Sequence, residues 1–143
     1  MKMTLLGLAV IALGLVGSDQ ASAQGYAEGQ VWEYKTRPGE TGSALKIVKV
    51  DRDPKLGNIF HISIVGVRIK GPQGVLTELP HVPVAKETLD KSVTKLSKAN
   101  ISFPDFRRGY AEWIRVKGGV FNVTVAEIVS LAEKAFSGAK REP

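Results

Sequence analysis

The chain has 143 residues, of which 43% are hydrophobic and 24% are charged, and its formal net charge at pH 7 is +6. These values are ordinary for one folded domain and exclude an intrinsically disordered chain. The absence of cysteine excludes a disulfide framework and a lipid anchor on a cysteine. The positive charge suits an acidic partner, or it serves solubility alone.

The first 23 residues have the order of a secretory signal peptide. Lys2 gives a basic start, residues 5–16 form an uncharged apolar run, and Ala21 and Ala23 supply the small side chains that precede a cleavage site. The run is shorter than the roughly 20 residues that a membrane span needs, although an uncleaved anchor is the alternative. We expect a periplasmic or secreted protein with one domain over residues 24–143, which meets the membrane only through its signal and meets no nucleic acid.

The first half of that domain predicts an antiparallel meander. Residues 30–37 and 43–50 read as strands, and residues 58–70 hold the longest run of β-branched side chains, which indicates a central strand. Residues 75–79 form a fourth, short strand, and turns rich in glycine and proline separate all four. Gly66 predicts a bulge or a close approach by a neighbour. Pro80 and Pro83 flank His81, so we expect this connection to lie outside the sheet.

The second half changes to helical spacing. An apolar stripe over residues 85–96 predicts a first helix, and four aromatic residues at helical spacing predict a second helix from Pro104 to about Val116. The alternative for residues 104–117 is part of a hairpin, with strands at 110–116 and 120–123. With residues 104–116 as a helix, residues 120–123 predict a fifth strand. Thr124 and Glu127 form the capping box of a C-terminal helix.

These elements predict an α+β fold. We expect an antiparallel meander sheet of four to five strands with helices packed on one face, ending in the C-terminal helix.

The sequence offers few groups for chemistry. His61 and His81 lack the paired spacing of metal ligands, so no metal and no cofactor are predicted. Ser63 shares a strand face with His61, but side chains at that spacing project in parallel and rarely reach each other. The chain has neither a nucleophile elbow around a serine nor a phosphate-binding loop. We therefore assign no catalytic residue, and expect His61 to be a hydrogen-bonded strand residue.

Basic side chains suggest a partner-binding surface. We expect Lys91, Lys95 and Lys98 to share one face of the first helix, with Arg107 and Arg108 across the next connection. The alternative is a solvated helix face, since Glu87 partly neutralises Lys91. The function expected first is a small exported interaction protein, of the inhibitor or immunity kind, which binds an acidic envelope or secreted protein.

Two other classes of function remain open. Exposed aromatic rings stack on sugars, so a cell-wall or polysaccharide binder is the first alternative, although aromatics at regular spacing more often belong to the core. A small hydrolase-type enzyme centred on His61 is the second, and it requires a pocket with a carboxylate within hydrogen-bond reach of that ring. The side chains expected to face a ligand are Trp32, Tyr34, His61 and Trp113.

Overall fold

The computed structural model describes residues 25–138. The predicted signal peptide, residues 1–23, lies outside the described residues. Among the helices within 25–138, none combines the length and apolar character that a membrane crossing requires.

Within these residues the chain forms one five-stranded sheet and three helices. The strands pair in the order β4-β3-β2-β1-β5, and every neighbouring pair is antiparallel. This confirms the α+β class, the antiparallel meander and the C-terminal helix. The elements are β1 (Val31–Tyr34), β2 (Ala44–Asp53), β3 (Gly57–Gly71), β4 (Gly74–Ala85), α1 (Lys86–Ser92), β5 (Val93–Leu96), α2 (Arg107–Val116) and α3 (Val125–Gly138).

The long strand β3 separates two different faces of the sheet. Its alternate residues Phe60, Ile62 and Ile64 are buried in the hydrophobic core, to which α3 contributes Val125, Ile128 and Val129. His61 projects to the opposite face, where α2 covers it. One face of the sheet is therefore apolar, whereas the other carries buried polar groups.

Gly66 shows why β3 is uneven. Its φ of +82° is a conformation that favours glycine, and an added Cβ would lie 2.9 Å from the Cα of Ser43. The pairing of β3 with β4 shifts between Val65 and Ile69, which returns Val67 and Ile69 to the core. Both the bulge and the close approach expected at Gly66 are confirmed.

The fourth strand is longer than predicted. We expected Pro80 and Pro83 to keep His81 outside the sheet, and this was wrong, since β4 continues to Ala85 and Pro83 pairs with His61. The prolines are tolerated in the sheet because of the position of their strand. β4 lies at an edge of the sheet, where a missing N–H donor on the outer side costs no ladder hydrogen bond.

The first helix is shorter than predicted. It ends at Ser92, and Val93–Leu96 then forms β5, with Val93 paired to Tyr34. Pairing with β1 prevails over the helical spacing of the apolar residues, because the β-branched residues Val93 and Thr94 favour a strand. Residues 120–123 do not form the expected fifth strand, and contribute an isolated parallel bridge from Phe121 to Val84.

The other two helices follow their signals. α2 confirms the helix over the hairpin, although it starts at Arg107, after Pro104. The capping box of α3 is also confirmed. The Thr124 backbone N–H donates to Glu127 Oε1 at 2.9 Å, and the Glu127 N–H donates to Thr124 Oγ1 at 3.1 Å.

Candidate functional site

The candidate site lies on the polar face of the sheet, beneath α2. Three neighbouring strands each contribute one side chain to a hydrogen-bonded group, namely Asp51 from β2, His61 from β3 and His81 from β4. Lys49 and Pro83 are the cross-strand partners of His61. Asp51 and His81 are each two residues from those partners, so they share the face of His61 and flank it diagonally. The antiparallel register therefore assembles the site.

A continuous chain of hydrogen bonds joins these side chains. His61 Nδ1 lies 2.9 Å from His81 Nε2, and His61 Nε2 lies 3.0 Å from Asp51 Oδ2. The Tyr110 hydroxyl, from α2, donates to the same Asp51 oxygen at 2.7 Å. His61 is fully buried, whereas Asp51 is 31% exposed. A buried imidazole thus connects a partly exposed carboxylate to a second imidazole.

The chemistry of the donors fixes one tautomer for each neutral ring. A carboxylate accepts hydrogen bonds only, so His61 must carry its proton on Nε2 and donate to Asp51. The unprotonated His61 Nδ1 then accepts from His81 Nε2–H. His81 is left with an unprotonated Nδ1, for which residues 25–138 provide no hydrogen-bond donor. The hydrogen-bond chain therefore ends at the lone pair of His81 Nδ1, and an unprotonated ring nitrogen can accept a proton.

Burial keeps both rings neutral near pH 7. It lowers the pKa of His81 to about 4, and the adjacent His61 acts in the same direction. Burial also lowers the pKa of His61, against the opposing effect of the Asp51 carboxylate. Burial and the hydrogen bond to Asp51 raise the pKa of Tyr110 to about 12, so the phenol remains a donor.

The helix α2 encloses the rings with aromatic side chains. The ring centroids of Tyr110 and Trp113 lie 4.9 Å and 4.7 Å from that of His61, both edge-to-face. Trp113 is held by its own indole N–H, which donates to the Gly119 carbonyl at 2.9 Å. Gly109 allows the helix to approach, because a Cβ there would lie 2.7 Å from the Cβ of His81.

A cleft of about 750 Å³ lies between β4 and α2, and we call it the β4–α2 cleft. His81, which is half-buried, lines it. A volume of this size suits a small organic molecule. Other residues that line the cleft are Pro80, Asp105, Arg108, Glu112 and Arg115.

The predicted basic surface is dispersed over the molecule. Lys91 is exposed on α1 and Lys95 is exposed on the edge strand β5, so they do not share one helical face as expected. Lys98 is exposed in the connection before α2. Arg107 and Arg108 open α2, and Arg108 lines the β4–α2 cleft. The two arginines are neighbours on α2, whereas Lys95 lies on β5, an edge strand of the sheet.

The aromatic side chains expected to face a ligand have different positions. Trp32 and Tyr34 belong to the hydrophobic core, where they are 2% and 5% exposed. Trp113 is half-buried against His61. Ser63 is fully buried, and its hydroxyl has no hydrogen-bond partner among the described residues. Within residues 25–138, therefore, no bond links the Ser63 hydroxyl to His61.

Sequence reasoning missed His81, Asp51 and Tyr110 as partners of His61. A usable signal was present in the hairpin between β3 and β4. Its turn lies between Gly71 and Gly74, and counting back from both ends of the turn brings residue 61 near residues 81–84. That count depends on placing His81 in a strand, which the two flanking prolines disfavoured.

Among the described residues, no three His, Cys, Asp or Glu side chains are grouped as metal ligands. Comparison of the chain with protein-family models, curated proteins and solved structures finds no match.

Proposed function

We propose that this is an exported protein whose β4–α2 cleft performs general acid–base chemistry on a small molecule, in the manner of a small hydrolase. His81 is the proton-transfer group. The observation that carries the proposal is the hydrogen-bond chain from Asp51 through His61 to His81, which ends at the cleft.

The proposal assigns each member of the chain a separate role. His81 accepts a proton at Nδ1, and the positive charge that develops is shared with His61 through the 2.9 Å hydrogen bond. Asp51 stabilises that charge and holds the tautomers, as an orienting carboxylate does for a catalytic histidine. Tyr110 fixes Asp51. His61, Asp51 and Tyr110 are positioning residues, because of the four side chains only His81 lines the cleft.

The group that attacks the substrate is proposed to be water. Within residues 25–138, no serine or threonine hydroxyl is hydrogen-bonded to His61 or His81. A base of this kind therefore acts on a water molecule or on a hydroxyl of the substrate itself. Positioned acid–base groups contribute about 10²- to 10⁴-fold to a reaction rate.

The test is hydrolysis of a panel of carboxylic esters, phosphate esters and amides by the purified protein. We expect His81→Gln and Asp51→Asn each to lower turnover by about 100-fold or more. Asp90→Asn is the matched control, because Asp90 also accepts a tyrosine hydroxyl, from Tyr26 at 2.7 Å, without a histidine. It should leave turnover unchanged.

A second readout does not depend on knowing the substrate. Long-range ¹H–¹⁵N spectra at pH 7 should show both His61 and His81 protonated on Nε2 and unprotonated on Nδ1. Asp51→Asn should disturb the tautomer of His61, since an amide can also donate a hydrogen bond. A His81 ring protonated on Nδ1 in the unaltered protein would rule out the proposed base.

Binding of an acidic protein remains the second candidate. Its support is that Lys91, Lys95, Lys98, Arg107 and Arg108 are all exposed, and that two of them adjoin on α2. Replacing Arg107 and Arg108 with glutamine should weaken capture of a partner from an envelope extract and flatten its salt dependence. Equal loss on replacing Lys91 and Lys95 instead would favour nonspecific attraction.

A further inference from the structure

The four charged residues that line the β4–α2 cleft, Asp105, Arg108, Glu112 and Arg115, sum to zero, but three of them are held in ion pairs. Arg115 donates to Glu112 at 2.6 Å and 3.0 Å, so these two lining residues neutralise each other. Asp105 is paired with Arg107 at 2.7 Å. Arg108 also lines the cleft, and no carboxylate among residues 25–138 lies within ion-pair distance of its guanidinium. Arg108 is therefore the one charged lining residue without an ion-pair partner among residues 25–138, and its charge is positive.

The remaining walls supply little competition for that charge. Pro80, Gly109 and Ala111 contribute apolar surface between the charged side chains. His81 is neutral at pH 7, because its pKa is lowered to about 4. A guanidinium has a planar set of donors that matches a carboxylate or phosphate.

We propose that the cleft binds an anionic group, a carboxylate or a phosphate, through Arg108. A neighbouring hydroxyl or amine of the bound ligand would then donate to the unprotonated Nδ1 of His81, since His81 lines the same cleft. The proposal rests on the proposed function for the role of His81 and names the class of its substrate. The contact with Arg108 is independent of whether His81 transfers a proton.

The experiment is an NMR titration of the ¹⁵N-labelled protein with inorganic phosphate and, separately, with acetate at low ionic strength. We expect the signals of Gly109 and His81 to shift in a saturable way. Arg108→Gln should weaken the apparent affinity at least tenfold, as expected for loss of a charge-assisted hydrogen bond. Arg52→Gln removes the same charge from the end of β2, outside the cleft, and should change the affinity less than twofold.

A further variant changes the affinity in the opposite direction. Glu112→Gln removes the carboxylate that neutralises Arg115, so it should strengthen binding of both anions. If the Arg108→Gln variant and the Arg52→Gln variant lose affinity to the same extent, the attraction is nonspecific and the proposal is overturned. So would the absence of any saturable shift at Gly109 and His81.

The failure of this proposal differs from a failure of the proposed function. If anions do not bind through Arg108 while His81 retains the Nε2–H tautomer and its effect on turnover, the acid–base site stands and its substrate is not anchored by an anion. If Arg108 binds phosphate but His81 is protonated on Nδ1, the cleft is an anion site without the proposed chemistry.

Discussion

His81 Nε2 lies 2.9 Å from His61 Nδ1, and the two rings are nearly parallel, with centroids 5.0 Å apart. This contact requires one ring nitrogen to donate and the other to accept. Protonating both imidazoles removes the acceptor and places two positive charges side by side. The pair therefore depends on pH, independently of any reaction at the cleft.

We predict that folding stability declines as the pH falls from about 6.5 to about 4. The pKa of His81 is lowered to about 4 by burial, whereas an unfolded chain has the ordinary value of 6.5. Between these values the unfolded state binds more protons, so acid favours unfolding. We expect a loss of about 1–2 kcal/mol from this residue, below the full linkage value because the ring is partly exposed. Urea denaturation at a series of pH values measures it.

The control for this prediction separates His81 from other acid-sensitive groups. His81→Gln should reduce the pH dependence, whereas carboxylates such as Glu133, whose pKa is also lowered, contribute equally in both proteins. The groups that face the pair are Lys49, Asp51 and Tyr110, and all are retained in this variant. Parallel stability curves for the two proteins would contradict the prediction.

A second prediction concerns the contact between α2 and β4. Gly109→Ala should destabilise the protein, although alanine is intrinsically better than glycine in a helix by about 1 kcal/mol. The new Cβ would lie 2.7 Å from the Cβ of His81, which forces the helix away from the strand. Thermal unfolding should show the loss, and the NMR signals of His81 and Trp113 should move.

Gly119→Ala provides the comparison, since a Cβ at that position has no atom within 4 Å. It should leave the melting temperature and the ring signals nearly unchanged. If Gly109→Ala is as stable as the unaltered protein, α2 does not pack against His81 as closely as described.

The fold was largely predictable because its strongest signals are local. The β-branched run of β3 and the capping box at Thr124 depend on neighbours in sequence. The boundary of β2 was less predictable. The sequence after Val50 reads as a turn because it includes Asp51, Asp53 and Pro54, yet the strand continues to Asp53. Antiparallel pairing with β3 extended the strand beyond its local preference.

The site was not predictable because it depends on register across three strands. His81 lies between two prolines, which are tolerated because β4 is an edge strand, and strand order is not a local property. The spacing of Tyr110 and Trp113 correctly indicated a helix. It carried no information on which face of the sheet that helix covers, and so could not bring Tyr110 to Asp51.

A third prediction tests the two tryptophans. Trp113→Phe leaves Trp32 as the remaining tryptophan, and we expect its fluorescence to resist quenching by acrylamide because its side chain is 2% exposed. Trp32→Phe should leave a more strongly quenched signal, from the half-buried Trp113. Strong quenching of Trp32 would reopen the role of that ring in stacking on a polysaccharide.

The last prediction concerns a buried carboxylate away from the cleft. Glu40 is 2% exposed and accepts two hydrogen bonds from Arg37, at 2.7 Å and 3.1 Å, and one from the Arg68 backbone N–H at 2.7 Å. Arg37 also donates to Glu133 at 2.9 Å, which ties α3 to the sheet. Arg37→Met should lower the unfolding free energy by about 3 kcal/mol, since it leaves a buried charge unpaired.

Two further variants separate loss of the ion pair from loss of packing. Arg37→Met combined with Glu40→Gln should recover part of that stability, because no buried charge then remains. Arg115→Gln breaks an ion pair whose two side chains are 71% and 58% exposed, and it should have little measurable effect in chemical denaturation. If Arg37→Met is equally mild, solvent reaches Glu40 and the ion pair does not hold α3 against the sheet.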